Sequence, residues 1–81
     1  MKTFRCHLAV TSDGQQYTAT SLNMPEVSAS AATEEQAIAD ARDTLQRTIE
    51  RLRESGEDIP WVKDYKVPAK ASAVWVLVDV R

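Results

Sequence analysis

Residues 33–56 read TEEQAIADARDTLQRTIERLRESG and form the one long stretch of the chain with a clear hydrophobic period. Thr33 and Gln36 have the Thr-x-x-Gln spacing of a capping box, which marks where a helix begins. Gly56 is the residue type that closes a helix in the left-handed conformation. The apolar residues in between recur at spacings of three and four: Ile38, Ala41, Leu45, Ile49 and Leu52. This pattern predicts one amphipathic helix whose apolar stripe must pack against another element.

Three short runs with alternating apolar and polar residues precede the helix and predict three strands. The first covers residues 3–11 and places four side chains on one face, Phe4, Cys6, Leu8 and Val10. Residues 16–22 and 27–31 form the second and third runs. An Asp-Gly pair at 13–14 is a strong hairpin signal, and Pro25 indicates a turn before the third strand. The three strands are therefore expected to form a meander.

Two segments follow the helix and differ sharply in character. Residues 57–72 show no period but carry several large apolar side chains, which predicts a segment that wraps the sheet. Residues 73–80 read AVWVLVDV and form the most strongly strand-forming run of the chain. Four valines at even positions share one face of this strand. Trp75, Leu77 and Asp79 share the other.

Together these elements predict a single α+β domain spanning residues 1–81, with the order β-β-β-α-β. A crossover through the helix would let the last strand pair in parallel with the first, giving a mixed four-stranded sheet of spatial order 3-2-1-4. One helix covers only one face of such a sheet. The other face would expose apolar side chains, which usually marks an interface. The residues predicted to contribute to that interface are Trp75, Leu77, Asp79, His7 and Trp61.

The chemistry-bearing residues do not form a catalytic or metal-binding pattern. Cys6 and His7 are neighbours on a strand, so they point to opposite faces and cannot act as a nucleophile–base pair. The sequence has one histidine and one cysteine, so it lacks the second histidine or the cysteine pair that a metal site would need. Asp79 is a lone carboxylate, whereas a two-metal nuclease needs several acids that converge. We expect no enzyme, no catalytic residue, no metal and no cofactor.

The net charge and the lack of targeting signals further narrow the possible functions and locations of the chain. The net charge of −2 argues against a nucleic-acid surface built on bulk positive charge. Arg5 and His7 interrupt the apolar core that a signal peptide would need. Nowhere does the chain approach the ~20 apolar residues of a membrane span. With one cysteine and no possible intrachain disulfide, the expected location is the cytoplasm.

Four short strings, in this order, resemble the N-terminal domain of the HicB antitoxin family. They are LNMPEV at 22–27, TEEQAI at 33–38, GEDIP at 56–60 and WVLVDV at 75–80. The resemblance implies a partial RNase H-like fold without nuclease activity. It also implies dimers or tetramers and a role in neutralising a small basic mRNA-cleaving toxin of the HicA type.

The sequence departs from the family pattern at two places. The turn glycine and cysteine of the family correspond here to Glu26 and Val27, and its Gly-Asp before the helix corresponds to Ala31-Ala32. The family usually continues into a DNA-binding domain, whereas this sequence ends at Arg81. Direct nucleic-acid binding is therefore not expected of these residues.

Two functions remain open at this point. The first is a HicB-like antitoxin or an orphan relative, a protein-binding module with a HicA-type partner. The second is a self-associating structural or scaffold domain, a homo-oligomer that has no toxin partner.

Overall fold

A computed structural model describes residues 2–80, which form four strands and one helix. The elements are β1 (Lys2–Ser12), β2 (Tyr17–Ser21), β3 (Ser28–Ala31), α1 (Glu34–Ser55) and β4 (Ser72–Val80). The sheet has the order β3-β2-β1-β4, with α1 packed on one face. The predicted element order, strand order and single covering helix are confirmed.

The predicted parallel pairing of the last strand is wrong. β4 pairs with β1 antiparallel along its whole length, from Lys2 opposite Val80 to Val10 opposite Ser72. The other two pairings are antiparallel as well, so every pairing in the sheet is antiparallel rather than mixed. The helix does return the chain to the end where β1 begins. Residues 57–71 then carry it back along the sheet, so β4 runs in the direction opposite to that expected.

We call residues 57–71 the crossing segment, because they connect the helix side of the sheet to its other face. Ile59 and Trp61 pack against the core on the helix side. The Val62 N–H donates to the Asn23 carbonyl at 2.8 Å, beside the N-terminal half of β1. A few residues later, Tyr65 reaches the side chain of His7 on the opposite face. The prediction that this segment wraps the sheet is confirmed.

Thr33 and Gly56, the residues predicted to begin and to end the helix, flank α1 as expected. Thr33 is extended, and its hydroxyl accepts a hydrogen bond from the Gln36 N–H at 3.1 Å. The Gln36 side chain donates to Asp40 at 2.8 Å instead of turning back toward Thr33, so only half of the capping box forms. Gly56 has φ 75°, and the N–H groups of Gly56 and Glu57 donate to the carbonyls of Arg53 and Leu52. This is the paired hydrogen bonding that closes a helix with a left-handed residue.

The core lies between α1 and the inner face of the sheet. On the helix it is formed by Ala37, Ala41, Leu45 and Ile49, all fully buried. Ile38 and Leu52, predicted in the same stripe, are only half-buried. The sheet contributes the even-numbered residues of β1 and β4, including Leu8, Val78 and Val80. In residues 2–80, no helix combines the length and apolar character needed to cross a membrane.

Candidate functional site

The face of the sheet away from α1, here called the outer face, carries the odd-numbered residues of β1 and β4. This assignment follows from the strand register, which places Arg5 opposite Leu77 and His7 opposite Trp75. Trp75 is 56% exposed and Leu77 is 61% exposed, and these are the two most exposed large apolar side chains described. Ala9 lies further along the same face but is only 4% exposed. The accessible apolar part of the face therefore lies beside the N-terminal half of β1, where Trp75 and Leu77 are exposed.

His7 and Trp75 form the centre of this accessible part. Their rings stack with centroids 4.0 Å apart and planes that differ by 1°. The two residues face each other directly across the β1–β4 pair, where opposed side chains lie close together. The Arg5 guanidinium carbon lies 5.7 Å from the Trp75 ring centroid, within the usual range of a cation–π contact. Trp75 is thus held by two neighbours while half of its surface faces solvent.

Tyr65 of the crossing segment completes the surroundings of His7. Its hydroxyl lies 3.1 Å from the His7 Nδ1 atom, and the two rings meet edge to face with centroids 5.7 Å apart. The His7 main chain is also held, since its N–H donates to the Asn23 side-chain oxygen at 2.7 Å. The imidazole is consequently oriented by a residue distant in sequence as well as by its strand neighbour.

Asp79 and Leu77 continue the outer face toward the end of β4. One carboxylate oxygen of Asp79 accepts a hydrogen bond from the Thr3 hydroxyl at 2.7 Å, and both residues are exposed. Leu77 stands between Trp75 and Asp79 on the same face. An apolar surface bordered by a carboxylate and by Arg5 is typical of the polar rim and apolar centre of protein interfaces.

Trp61, the fifth residue predicted for the interface, lies apart from the other four. Its ring packs against the core and meets the Phe4 ring at a centroid distance of 5.7 Å, on the inner side of the sheet. The structure brings His7, Trp75, Leu77 and Asp79 together on the outer face and leaves Trp61 on the other side. Trp61 therefore does not share their surface.

The arrangement is similar to that of a solved structure over nearly its full length. It is the crystal structure of the N-terminal domain of the Burkholderia pseudomallei antitoxin HicB, with a TM-score of 0.67 and 31% sequence identity. The match covers 96% of this chain and 99% of that one. The chain belongs to the HicB-like antitoxin family. No family model and no curated protein matches the sequence.

Two reactive side chains of this HicB-like chain, those of Cys6 and His7, lie on opposite faces of the sheet. Cys6 is fully buried on the inner face, and burial raises the pKa of its thiol, which keeps it in the unreactive protonated form. His7, its neighbour in sequence, points to the outer face. Within residues 2–80, no three side chains of histidine, cysteine, aspartate or glutamate come together as metal ligands. The outer face of the HicB-like chain presents two exposed apolar side chains, those of Trp75 and Leu77, beside polar ones.

Three residues of the outer-face site were not predicted. Thr3 and Arg5 have the same strand parity as His7, so the alternation of β1 placed them on this face although neither was singled out. Tyr65 could not have been found in this way, because its segment has no period. Its position beside His7 depends on the path of the crossing segment.

Proposed function

We propose that this HicB-like chain is an antitoxin-type module that binds and neutralises a small basic mRNA-cleaving toxin of the HicA type. The observation that carries the proposal is the match to an antitoxin domain across 96% of the chain, at 31% identity. Such a match extends to every strand, the helix and the crossing segment. The role of the chain would then be recognition of a protein partner, without catalysis.

The outer face is the proposed contact surface for the toxin. Trp75 and Leu77 offer exposed apolar area, and tryptophan is among the residues that most often dominate the energy of an interface. Because His7 and Arg5 already hold the Trp75 ring, little side-chain freedom remains to be lost when a partner binds. Because its net charge is −2, this chain is not repelled electrostatically by a basic protein. Since the proposed target acts on mRNA, the proposed location is the cytoplasm.

Co-expression with a HicA-type toxin tests the proposal, and the most informative toxin is one encoded beside this chain's own gene. We expect the wild-type chain to restore growth and to be recovered with a tagged, catalytically inactive toxin. Trp75→Ala should weaken the complex by about 30-fold or more if Trp75 dominates the interface, which corresponds to about 2 kcal/mol. Asp43→Ala is the matched control, since Asp43 is exposed on the helix, on the other side of the sheet.

Two outcomes would count against the proposal. If neither the neighbouring toxin nor a panel of HicA-type toxins is bound or neutralised, the toxin role is lost. If the complex forms but Trp75→Ala and Asp43→Ala bind equally well, the outer face is not the contact surface. A chain that self-associates but rescues no growth would favour the second function, a structural domain without a toxin partner.

A further inference from the structure

The middle of the crossing segment is attached to the sheet at a single point. We call residues 63–70 the strap, since they lie between Val62, whose N–H is held by a main-chain hydrogen bond, and the start of β4. Seven of the eight strap residues are exposed, and only Tyr65 is half-buried. Within residues 2–80, the one hydrogen bond from the strap to the sheet joins the Tyr65 hydroxyl to His7 Nδ1, at 3.1 Å. A segment with few buried contacts and one anchor opens at a lower free energy than the rest of a fold.

The strap crosses the outer face near Ala9. This residue has the outward parity of His7, yet it is only 4% exposed. It is not covered by α1, which packs on the other face, and it does not belong to the core cluster under the helix. The strap meets the sheet at the level of His7, through Tyr65. The chain then rejoins the sheet at Ser72, opposite Val10, and Ala9 lies between those two levels, so the strap is placed to cover it.

Val67 gives the strap a second apolar side chain on the side of Tyr65. It precedes Pro68, which favours an extended backbone, and side chains two residues apart in an extended segment point to the same side. Val67 nevertheless remains 40% exposed, so it packs only loosely. The strap therefore lies along the sheet without being built into the core.

His7 is shared by the strap and the exposed aromatic surface. Its imidazole stacks on the Trp75 ring at a centroid distance of 4.0 Å, and its Nδ1 atom contacts the Tyr65 hydroxyl. While the strap is closed, Tyr65 fixes the edge of the imidazole, which gives the indole a flat and oriented support. Opening of the strap removes the Nδ1 contact and returns side-chain freedom to His7, so the support of Trp75 weakens. The strap and Trp75 are thus coupled through one ring.

We propose that the strap opens and closes on the outer face, and that its closed state holds Trp75, through Tyr65 and His7, in the orientation that a partner binds. The opening is a property of the chain alone. Its effect on affinity rests on the proposed function, because it assumes that the toxin contacts Trp75. By thermodynamic linkage, a partner that binds the held Trp75 favours the closed strap, and the closed strap raises the affinity for that partner.

NMR relaxation of the free chain tests the coupling without any partner. Order parameters of the strap amides and of the Trp75 Nε1–H group should both be lower in Tyr65→Phe than in the wild type. Tyr17→Phe is the control, since Tyr17 packs on the helix side, and it should leave both at their wild-type values. Unchanged order of the strap in Tyr65→Phe would overturn the latch. Unchanged order of the Trp75 indole would overturn the coupling.

The contact between the two rings gives a second readout on the same samples. The chain has one histidine, so its imidazole protons give a single set of signals. Nuclear Overhauser effects between these protons and the Trp75 indole should be weaker in Tyr65→Phe than in the wild type and Tyr17→Phe. Equal intensities in all three would show that the stack does not need the strap, which contradicts the proposal.

A double-mutant cycle with bound toxin distinguishes coupling from direct contact. Tyr65→Phe alone should weaken the complex by about fivefold or more. In the Trp75→Ala background it should have no further effect, because the ring through which it acts is gone. In the Leu77→Ala background the effect should remain, since Leu77 lies opposite Arg5 rather than His7. Equal weakening in both backgrounds would mean that Tyr65 contacts the toxin itself, and would overturn the proposed coupling.

Failure of this proposal and failure of the proposed function give different results. If no toxin is bound, the proposed function is lost, while the relaxation of the free chain still decides whether the strap holds Trp75. If the toxin binds the wild type and Tyr65→Phe equally well, the proposed function stands and the regulatory role of the strap is overturned.

Discussion

The His7 imidazole lies flat against the Trp75 indole, with ring centroids 4.0 Å apart and ring planes that differ by 1°. This contact joins β1 and β4 on the face that α1 leaves uncovered. The same imidazole also links the sheet to the crossing segment, because the Tyr65 hydroxyl lies 3.1 Å from its Nδ1 atom. The most exposed aromatic residue is therefore held in one orientation by the fold.

A double-mutant cycle should measure the energy of this stack. We expect His7→Ala and Trp75→Ala to show a coupling free energy of about 0.5–1 kcal/mol in urea unfolding, the range for cross-strand aromatic pairs. The cycle removes the separate losses of the Tyr65 and Arg5 contacts, because each is lost in only one of the single variants. Thr11 and Leu77 lie on the same two strands but are separated by several cross-strand residue pairs. They do not touch, so they provide the control pair. An additive His7–Trp75 cycle would show that the stack contributes nothing to stability.

Removal of the Tyr65 hydroxyl should loosen the crossing segment without unfolding the sheet. Tyr65→Phe loses the contact with His7 Nδ1, and we expect a loss of about 0.5–1.5 kcal/mol in the free energy of unfolding. Cleavage by trypsin at Lys63 and Lys66, which are exposed on either side of Tyr65, should become faster. Tyr17 packs against the core on the helix side, so Tyr17→Phe is the matched control. Unchanged cleavage in Tyr65→Phe would show that the hydroxyl does not anchor the segment.

The fold was largely predictable because its signals are local. The capping residue Thr33, the closing Gly56 and the alternation of the strands all act within a few residues, and the structure confirms each of them. The direction of β4 was not predictable in this way. It depends on where residues 57–71 travel, and that path is determined by contacts such as Trp61 with Phe4 and Val62 with Asn23. Contacts between residues so distant in sequence leave no periodic pattern.

The candidate site was predictable to a similar degree and for the same reason. Strand parity alone placed His7, Trp75, Leu77 and Asp79 on one face, and the register confirms that placement. Parity could not place Trp61, which lies outside the strands and packs on the inner side. Nor could it indicate that His7 and Trp75 are directly opposed, because the offset between two strands distant in sequence is determined by the fold as a whole.

Asp13 should make the stability of the first hairpin depend on pH. Its carboxylate accepts hydrogen bonds from the N–H groups of Gln16 at 2.8 Å and Gln15 at 2.9 Å, and these hold its pKa below the ordinary value. A lowered pKa in the folded state means that the stabilisation is complete above the unfolded-state pKa, about 3.9, and is lost as the pH falls toward the folded-state pKa. The free energy of unfolding of the wild type should therefore exceed that of Asp13→Asn most at about pH 6, and the gap should narrow below about pH 4.

Urea unfolding at several pH values and an NMR titration of the Asp13 carboxyl check this expectation. Ser12→Ala is the control, because it removes another hydrogen bond of the same turn, from the Gly14 N–H, without a titrating group. Its effect on stability should not vary over this pH range. A titration of Asp13 at or above the ordinary value would show that the carboxylate is not held by the two N–H groups.

Substitution of Gly56 should lower the free energy of unfolding more than substitution of any other residue at the C-terminal end of α1. The cause is the backbone conformation alone. Its φ is 75°, and a Cβ atom added there would meet no heavy atom within 4 Å. Gly56→Ala therefore creates no clash, and its expected cost of about 1–2 kcal/mol comes from the left-handed conformation. Gly56→Asn should cost less, since asparagine adopts this conformation more readily than alanine. Urea midpoints with an unchanged slope would measure the difference, and equal midpoints for wild type and Gly56→Ala would mean that the helix end adopts another conformation without penalty.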